Sequence, residues 1–127
     1  MGDKPEIGAI EWFDLTVPDA KGIQQFYSDV VGWTATEHPM EGYSDFNIQR
    51  PGHEDAIAGI CHARGSNSKI PSQWLLYVRV ANVEKSAAVC REKGGQVLDG
   101  PRPMGPIQFC VIQDPAGAVM AIISGDE

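Results

Sequence analysis

Apolar and polar residues alternate from Ile7 to Val17, with Phe13, Leu15 and Val17 on one face and Trp12, Asp14 and Thr16 on the other. A period of two with one apolar face predicts a half-buried strand. The period then changes. Ile23, Phe26, Tyr27, Val30 and Val31 stand at i, i+3, i+4, i+7 and i+8, the spacing of an amphipathic helix of about three turns. Pro18-Asp19 supplies a stop and an N-cap before it, and Gly32 a residue that tolerates positive φ after it. Three short strands are predicted next, over 33–37, 43–48 and 56–63, punctuated by Pro39, Gly42, Pro51 and Gly52.

The same order then recurs. Residues 65–72 are polar and turn-rich, a linker. Residues 74–80 read as a strand, Asn82 as a cap, 83–93 as a helix, and Gly94-Gly95 as its stop. Short strands follow at 96–98, 107–113 and 118–123, with Gly100–Pro106 a Pro/Gly-rich loop holding Met104. Asp114-Pro115-Ala116-Gly117 has the preferences of a type I turn, so the last two strands form a hairpin. A shift of 63 residues lays one half on the other, bringing Asp19 onto Asn82 and Gly32 onto Gly95. Each half alone is too small to cover both faces of its sheet, so two copies must complete one core. The expected domain plan is one domain over 1–127, built of modules at about 7–64 and 73–124 joined by linker 65–72.

Composition narrows the class. The chain has 127 residues, 43% of them hydrophobic and 21% charged, which is a globular balance rather than a disordered one. Lys+Arg 10 against Asp+Glu 17 leaves a net charge of -7, which disfavours a phosphate backbone as partner. The longest apolar runs, 74–78 and 118–123, fall far short of the roughly 18 residues of a membrane span. The start, Met-Gly-Asp-Lys-Pro-Glu, leads into no apolar segment, so a cytoplasmic location is expected. Three widely spaced cysteines, Cys61, Cys90 and Cys110, read as reduced, mostly buried thiols. Cys61 and His62 adjoin on a strand, so they point to opposite faces and cannot share one ion. No phosphate loop, dinucleotide fingerprint or nucleophile elbow is present.

Residues 10–19 (IEWFDLTVPD), then 26–33 (FYSDVVGW), and in the second half 74–80, 93–97 (KGGQV) and 114–117 (DPAG), resemble the vicinal oxygen chelate superfamily of glyoxalase I, bleomycin-resistance proteins and extradiol dioxygenases. The resemblance covers residues 7 to 124. It implies an α+β fold of two βαβββ modules forming a cupped mixed sheet with helices outside. That arrangement would put Phe13, Leu15, Val17, Ile23, Phe26, Val30, Trp74, Leu76, Val78 and Ile122 between sheet and helices. It also implies a ligand cavity and, in many members, a homodimer. Catalytic members hold a metal through four ligands, and the matching positions here are Trp12, Leu75, Ala121 and about Ala58, with Gly59 or Ile60 as alternatives. None carries imidazole, carboxylate or thiolate, so no metal and no cofactor are expected.

Trp12, Asp14, Leu75, Tyr77, Arg79, Phe109 and Ala121 are the candidate ligand-binding residues, with Tyr43 and Phe46 as further aromatics. Asp14 is expected to pair with Arg79 and is the candidate general base. Three functions fit: a metal-free binder of a small organic molecule, flat or cationic; a lyase, isomerase or dioxygenase of the same superfamily; and a dimeric accessory protein with a vestigial pocket. The sequence does not decide whether the protein is an enzyme.

Overall fold

The computed structural model describes residues 6–125, so of the N-terminal hexapeptide only Glu6 lies among the described residues. The fold is α+β. Its elements run β1 (Ile10–Val17), α1 (Ala20–Val31), β2 (Thr34–Pro39), β3 (Ser44–Gln49), β4 (Ala56–His62), β5 (Trp74–Arg79), α2 (Val83–Glu92), β6 (Gln96–Met104), β7 (Ile107–Gln113) and β8 (Val119–Gly125). The βαβββ order thus occurs twice. The chain divides into two compact units, Trp12–Trp74 and a second made of Leu75–Glu127 with Met1–Glu11.

In the first unit the strand order is β2-β3-β4-β1. β2, β3 and β4 are antiparallel neighbours, while β1 runs parallel to β4 with Asp14 opposite Gly59, Leu15 opposite Ile60 and Thr16 opposite Cys61. α1 packs on β2, β3 and β4. Between them lie Leu15, Val17, Ala20, Phe46, Ile48, Ala58 and Ile60, with Ile23, Tyr27, Trp33 and Trp74 at the margin. Asp19 caps the helix by accepting from the Gly22 N–H at 3.0 Å, and Gly32 ends it at φ 88°, as the pattern predicts.

The second unit has the order β5-β8-β7-β6, with β5 parallel to β8 and Tyr77 opposite Ala121. α2 packs on β6, β7 and β8 over a core of Val83, Ala87, Cys110 and Ile122. Asn82 caps it through the Lys85 N–H at 2.9 Å.

Four residues placed between sheet and helices by the sequence are exposed: Phe13 by 44%, Phe26 by 54%, Val30 by 64% and Leu76 by 37%. Each helix lies over the outer strands of its own unit, so Phe13 on β1 and Leu76 on β5 stand beyond its cover. On α1 the packed stripe is Ala20, Ile23 and Tyr27. Phe26 lies about 100° round from Tyr27, whereas Val30 lies close to the line of Ile23 and is exposed at the last turn of the helix. The expected loop at 100–106 is another difference, because β6 continues to Met104. Register shifts at Val97/Asp99 and Asp99/Arg102 absorb Gly100 and Pro101 within the strand.

The left-handed residue after α2 is Gly94, at φ 95°, rather than Gly95, because α2 has 10 residues where α1 has 12. Gly95 serves close packing instead. A Cβ there would sit 2.6 Å from Cys90 Sγ and 2.7 Å from the Gln113 carbonyl oxygen. Gly95→Ala is therefore expected to lower the unfolding free energy by about 1–3 kcal/mol in urea titrations, the scale of overpacking against fixed backbone.

Candidate functional site

Period two on β1 decides which side chains leave the helix core. Leu15 and Val17 enter it, so Trp12, Asp14 and Thr16 point the other way. Gly59, directly opposite Asp14 on β4, makes room for them. A Cβ on Gly59 would overlap Asp14 Oδ1 and approach Trp12 Nε1 at 3.4 Å.

The Asp14 carboxylate is 8% exposed. Its Oδ1 accepts from the Trp12 indole N–H at 3.1 Å and from the Cys61 thiol at 3.8 Å. Nearby Asp45 is buried as well, and its Oδ1 accepts the His62 backbone N–H at 2.9 Å. Burial pushes the Asp14 pKa up from 3.8 to about 6. Hydrogen bonds from Trp12 and Cys61 oppose that rise, the negative charge of Asp45 adds to it, and a bond from Thr16 opposes it. Burial, with the charges of Asp14 and Asp45, also holds the Cys61 thiol well above the usual thiol range. Cys61 is thus a hydrogen-bond donor here, not a nucleophile.

The corresponding face of the second unit is closed. Leu75 is 1% exposed, Tyr77 7%, and Phe109, Val111 and Ala121 0%. The Tyr77 and Phe109 rings lie 5.6 Å apart. The Arg102 guanidinium covers Phe109 at 4.9 Å and grips Asp99 through Nε at 3.1 Å and Nη2 at 2.8 Å. Nothing in the sequence marked Asp99 and Arg102. Only the bulged register of β6 brings them to one place.

Arg79 meets a carboxylate that the sequence did not mark. Its guanidinium donates to Glu11, Nε to Oε2 at 2.8 Å and Nη2 to Oε1 at 2.9 Å, and its Nη1 donates to the Gly125 carbonyl at 3.1 Å. Within its own unit the carboxylate it meets is Glu11, the β1 residue before Trp12. These bonds hold the Glu11 carboxyl below its ordinary pKa.

The positions matching metal ligands carry no donor. Trp12 spends its N–H on Asp14, and Leu75 and Ala121 are buried apolar residues. Ala58 belongs to the helix-side core. Gly59 is the position on the Trp12 face, opposite Asp14 as Ala121 is opposite Tyr77. Among the described residues no group of three or more His, Cys, Asp or Glu is arranged to hold a metal ion. His62 turns its ring onto Tyr43 at 5.5 Å while Cys61 turns to Asp14, as adjacent strand residues must. Of the other aromatics, Phe46 is helix-side core, and Tyr43 lies under the Arg64 guanidinium at 4.0 Å.

An acid whose pKa is raised on folding destabilises the fold as pH climbs. For Asp14 the deficit is absent below 3.8 and complete once pH has passed through about 6. Asp14→Asn keeps an acceptor for Trp12 and removes the charge. It is expected to stabilise the protein by about 3 kcal/mol at pH 8, the equivalent of two pKa units. The gain should vanish below pH 4, as urea titrations at both pH values will show.

A family model described as "Glyoxalase/Bleomycin resistance protein/Dioxygenase superfamily" matches residues 9–122. Two curated relatives are similar in sequence. "Anthracycline biosynthesis protein DnrV" of Streptomyces peucetius is 28% identical, over 91% of this chain and 46% of its own length. "Anthracycline biosynthesis protein DauV" of Streptomyces sp. (strain C5) is 27% identical over the same shares. The chain spans about half the length of the curated relatives it matches. Among solved structures, a methylmalonyl-CoA epimerase in complex with methylmalonyl-CoA and NH4+ aligns with TM-score 0.53 and 17% identity over 94% of this chain and 96% of that one. The methylmalonyl-CoA epimerase from Mycobacterium tuberculosis aligns with TM-score 0.53 and 16% identity over 100% and 94%. These two share its fold.

Proposed function

The chain belongs to the glyoxalase/bleomycin resistance protein/dioxygenase superfamily, and from that premise we propose that it binds a small organic molecule without the help of a divalent metal. The ligand lies flat on the Trp12 indole, with Asp14 as its polar anchor. One observation carries this reading: the position matching a first-strand metal ligand holds an indole that donates to a buried carboxylate at 3.1 Å. An indole face suits a planar molecule, and a buried carboxylate suits a donor or a positive charge on it. The filled face of the second unit leaves Trp12 and Asp14 as the contacts on which the reading depends. The names of the two anthracycline biosynthesis relatives support a polycyclic aromatic ligand.

The protein is on this reading a cytoplasmic homodimer. The exposed Phe26, Val30 and Val31 of α1 supply an apolar stripe for a second copy, and sedimentation equilibrium checks the dimer.

The test is a fluorescence titration with an anthracycline. Quenching of tryptophan emission should saturate, and Trp12→Ala should weaken binding by about 1–3 kcal/mol, the scale of a lost aromatic contact. Zinc, nickel, iron or manganese should neither bind stoichiometrically nor raise the melting temperature, since an ion bound only by the folded state would stabilise it. An ion held by side chains at Trp12, or anthracycline binding unchanged in Trp12→Ala, overturns the proposal. A second reading, a metal-independent enzyme with Asp14 as general base, draws on its pKa of about 6. Turnover following an ionisation near that value and lost in Asp14→Asn would establish it.

A further inference from the structure

On the helix side of β1 and β4, opposite the face of Trp12, the first unit holds a pocket of about 370 Å³ lined by Phe13, Trp33, Ile57, Ala58 and Trp74. We propose that this pocket is a second ligand site, distinct from the Trp12 face, for a neutral planar aromatic molecule of two or three rings.

Its walls are positioned before any ligand arrives. The Trp74 indole N–H donates to the Tyr27 hydroxyl at 3.1 Å, and Ser28 Oγ donates to the Trp33 carbonyl at 2.7 Å. Tyr27 packs against both indoles, 5.9 Å from Trp33 and 5.4 Å from Trp74. With the Trp74 N–H spent inward, that ring turns carbon to the pocket. The two indoles lie 5.8 Å apart at an interplanar angle of 73°, so they form an aromatic corner. A flat ring entering it stacks on one indole and meets the other edge-on, the two favoured aromatic geometries.

The lining decides the ligand's charge. None of the five residues is ionisable. A charged group would lose its water there and find no counter-ion, which rules in neutral molecules. The volume is at the lower end of small-molecule pockets, roughly 300–1,000 Å³, and suits fused rings rather than a peptide segment. Phe13 forms the rim. It is 44% exposed because α1 does not reach it.

The probe is N-phenyl-1-naphthylamine, neutral and aromatic, titrated into the full chain. Expected are saturable enhancement at one probe per chain and an affinity about tenfold lower in Phe13→Ser, corresponding to about 1.4 kcal/mol. The melting temperature should not change, since Phe13 is a rim residue. Trp12→Ala, on the opposite face of the same strand, should bind the probe as the parent does, so this test is independent of the anthracycline titration. No saturable binding, or binding unchanged in Phe13→Ser, overturns the proposal. So does a loss in Trp12→Ala as large as that in Phe13→Ser, which would move the probe to the other face. Self-association that excludes the probe and disappears in Phe13→Ser would make a second copy the occupant, and overturns it as well.

Discussion

The parallel register of β1 on β4 is the constraint on which the first unit depends. Leu15 beside Ile60 and Asp14 opposite Gly59 are one geometric fact seen from two faces. A slip of one residue would drive the carboxylate into the helix core and turn Leu15 and Val17 outward. Glycine at 59 makes the register tolerable, because any larger residue would overlap the carboxylate oxygen that Trp12 engages. The buried acid, the indole and the missing Cβ therefore form a single device.

The second unit uses the same scaffold to another end. Tyr77 opposite Ala121 repeats the parallel pairing, but the surrounding residues are aliphatic and aromatic. Phe109, Val111 and Ala121 close the face completely, and the Arg102–Asp99 pair caps it. One repeat buries a carboxylate with a raised pKa, while the other buries hydrocarbon.

That division bears on chemistry. The positions that the family resemblance pointed to hold Trp12, Leu75, Ala121 and, in the stretch about Ala58, apolar residues and a glycine. The polar capacity that remains is carried by Asp14, whose acidity responds to burial and to Asp45. In the second unit the Arg79 guanidinium holds Glu11 and the Gly125 carbonyl. A buried carboxylate beside an indole can orient and protonate a bound group.

The sequence by itself determined the elements and their order. Periods of two and 3.6 marked both strand–helix starts, Asp19 and Asn82 marked the caps, and the repeat implied the paired βαβββ plan. It also named the residues that stand where the family resemblance expects metal ligands. The tertiary structure decided the rest. Which side of α1 meets the sheet depends on where the helix sits across the strands, so Phe26 stayed outside though its spacing is helical. The partner of Arg79 depends on which chain segment lies beside β5, where the Gly8 N–H meets the Arg79 carbonyl. Gly59 rather than Ala58 shares the face of Trp12 because strand register, not residue count, sets which side chains coincide. The acidity of Asp14 arises only once folding has removed its water, a property of packing density that no local stretch of residues encodes.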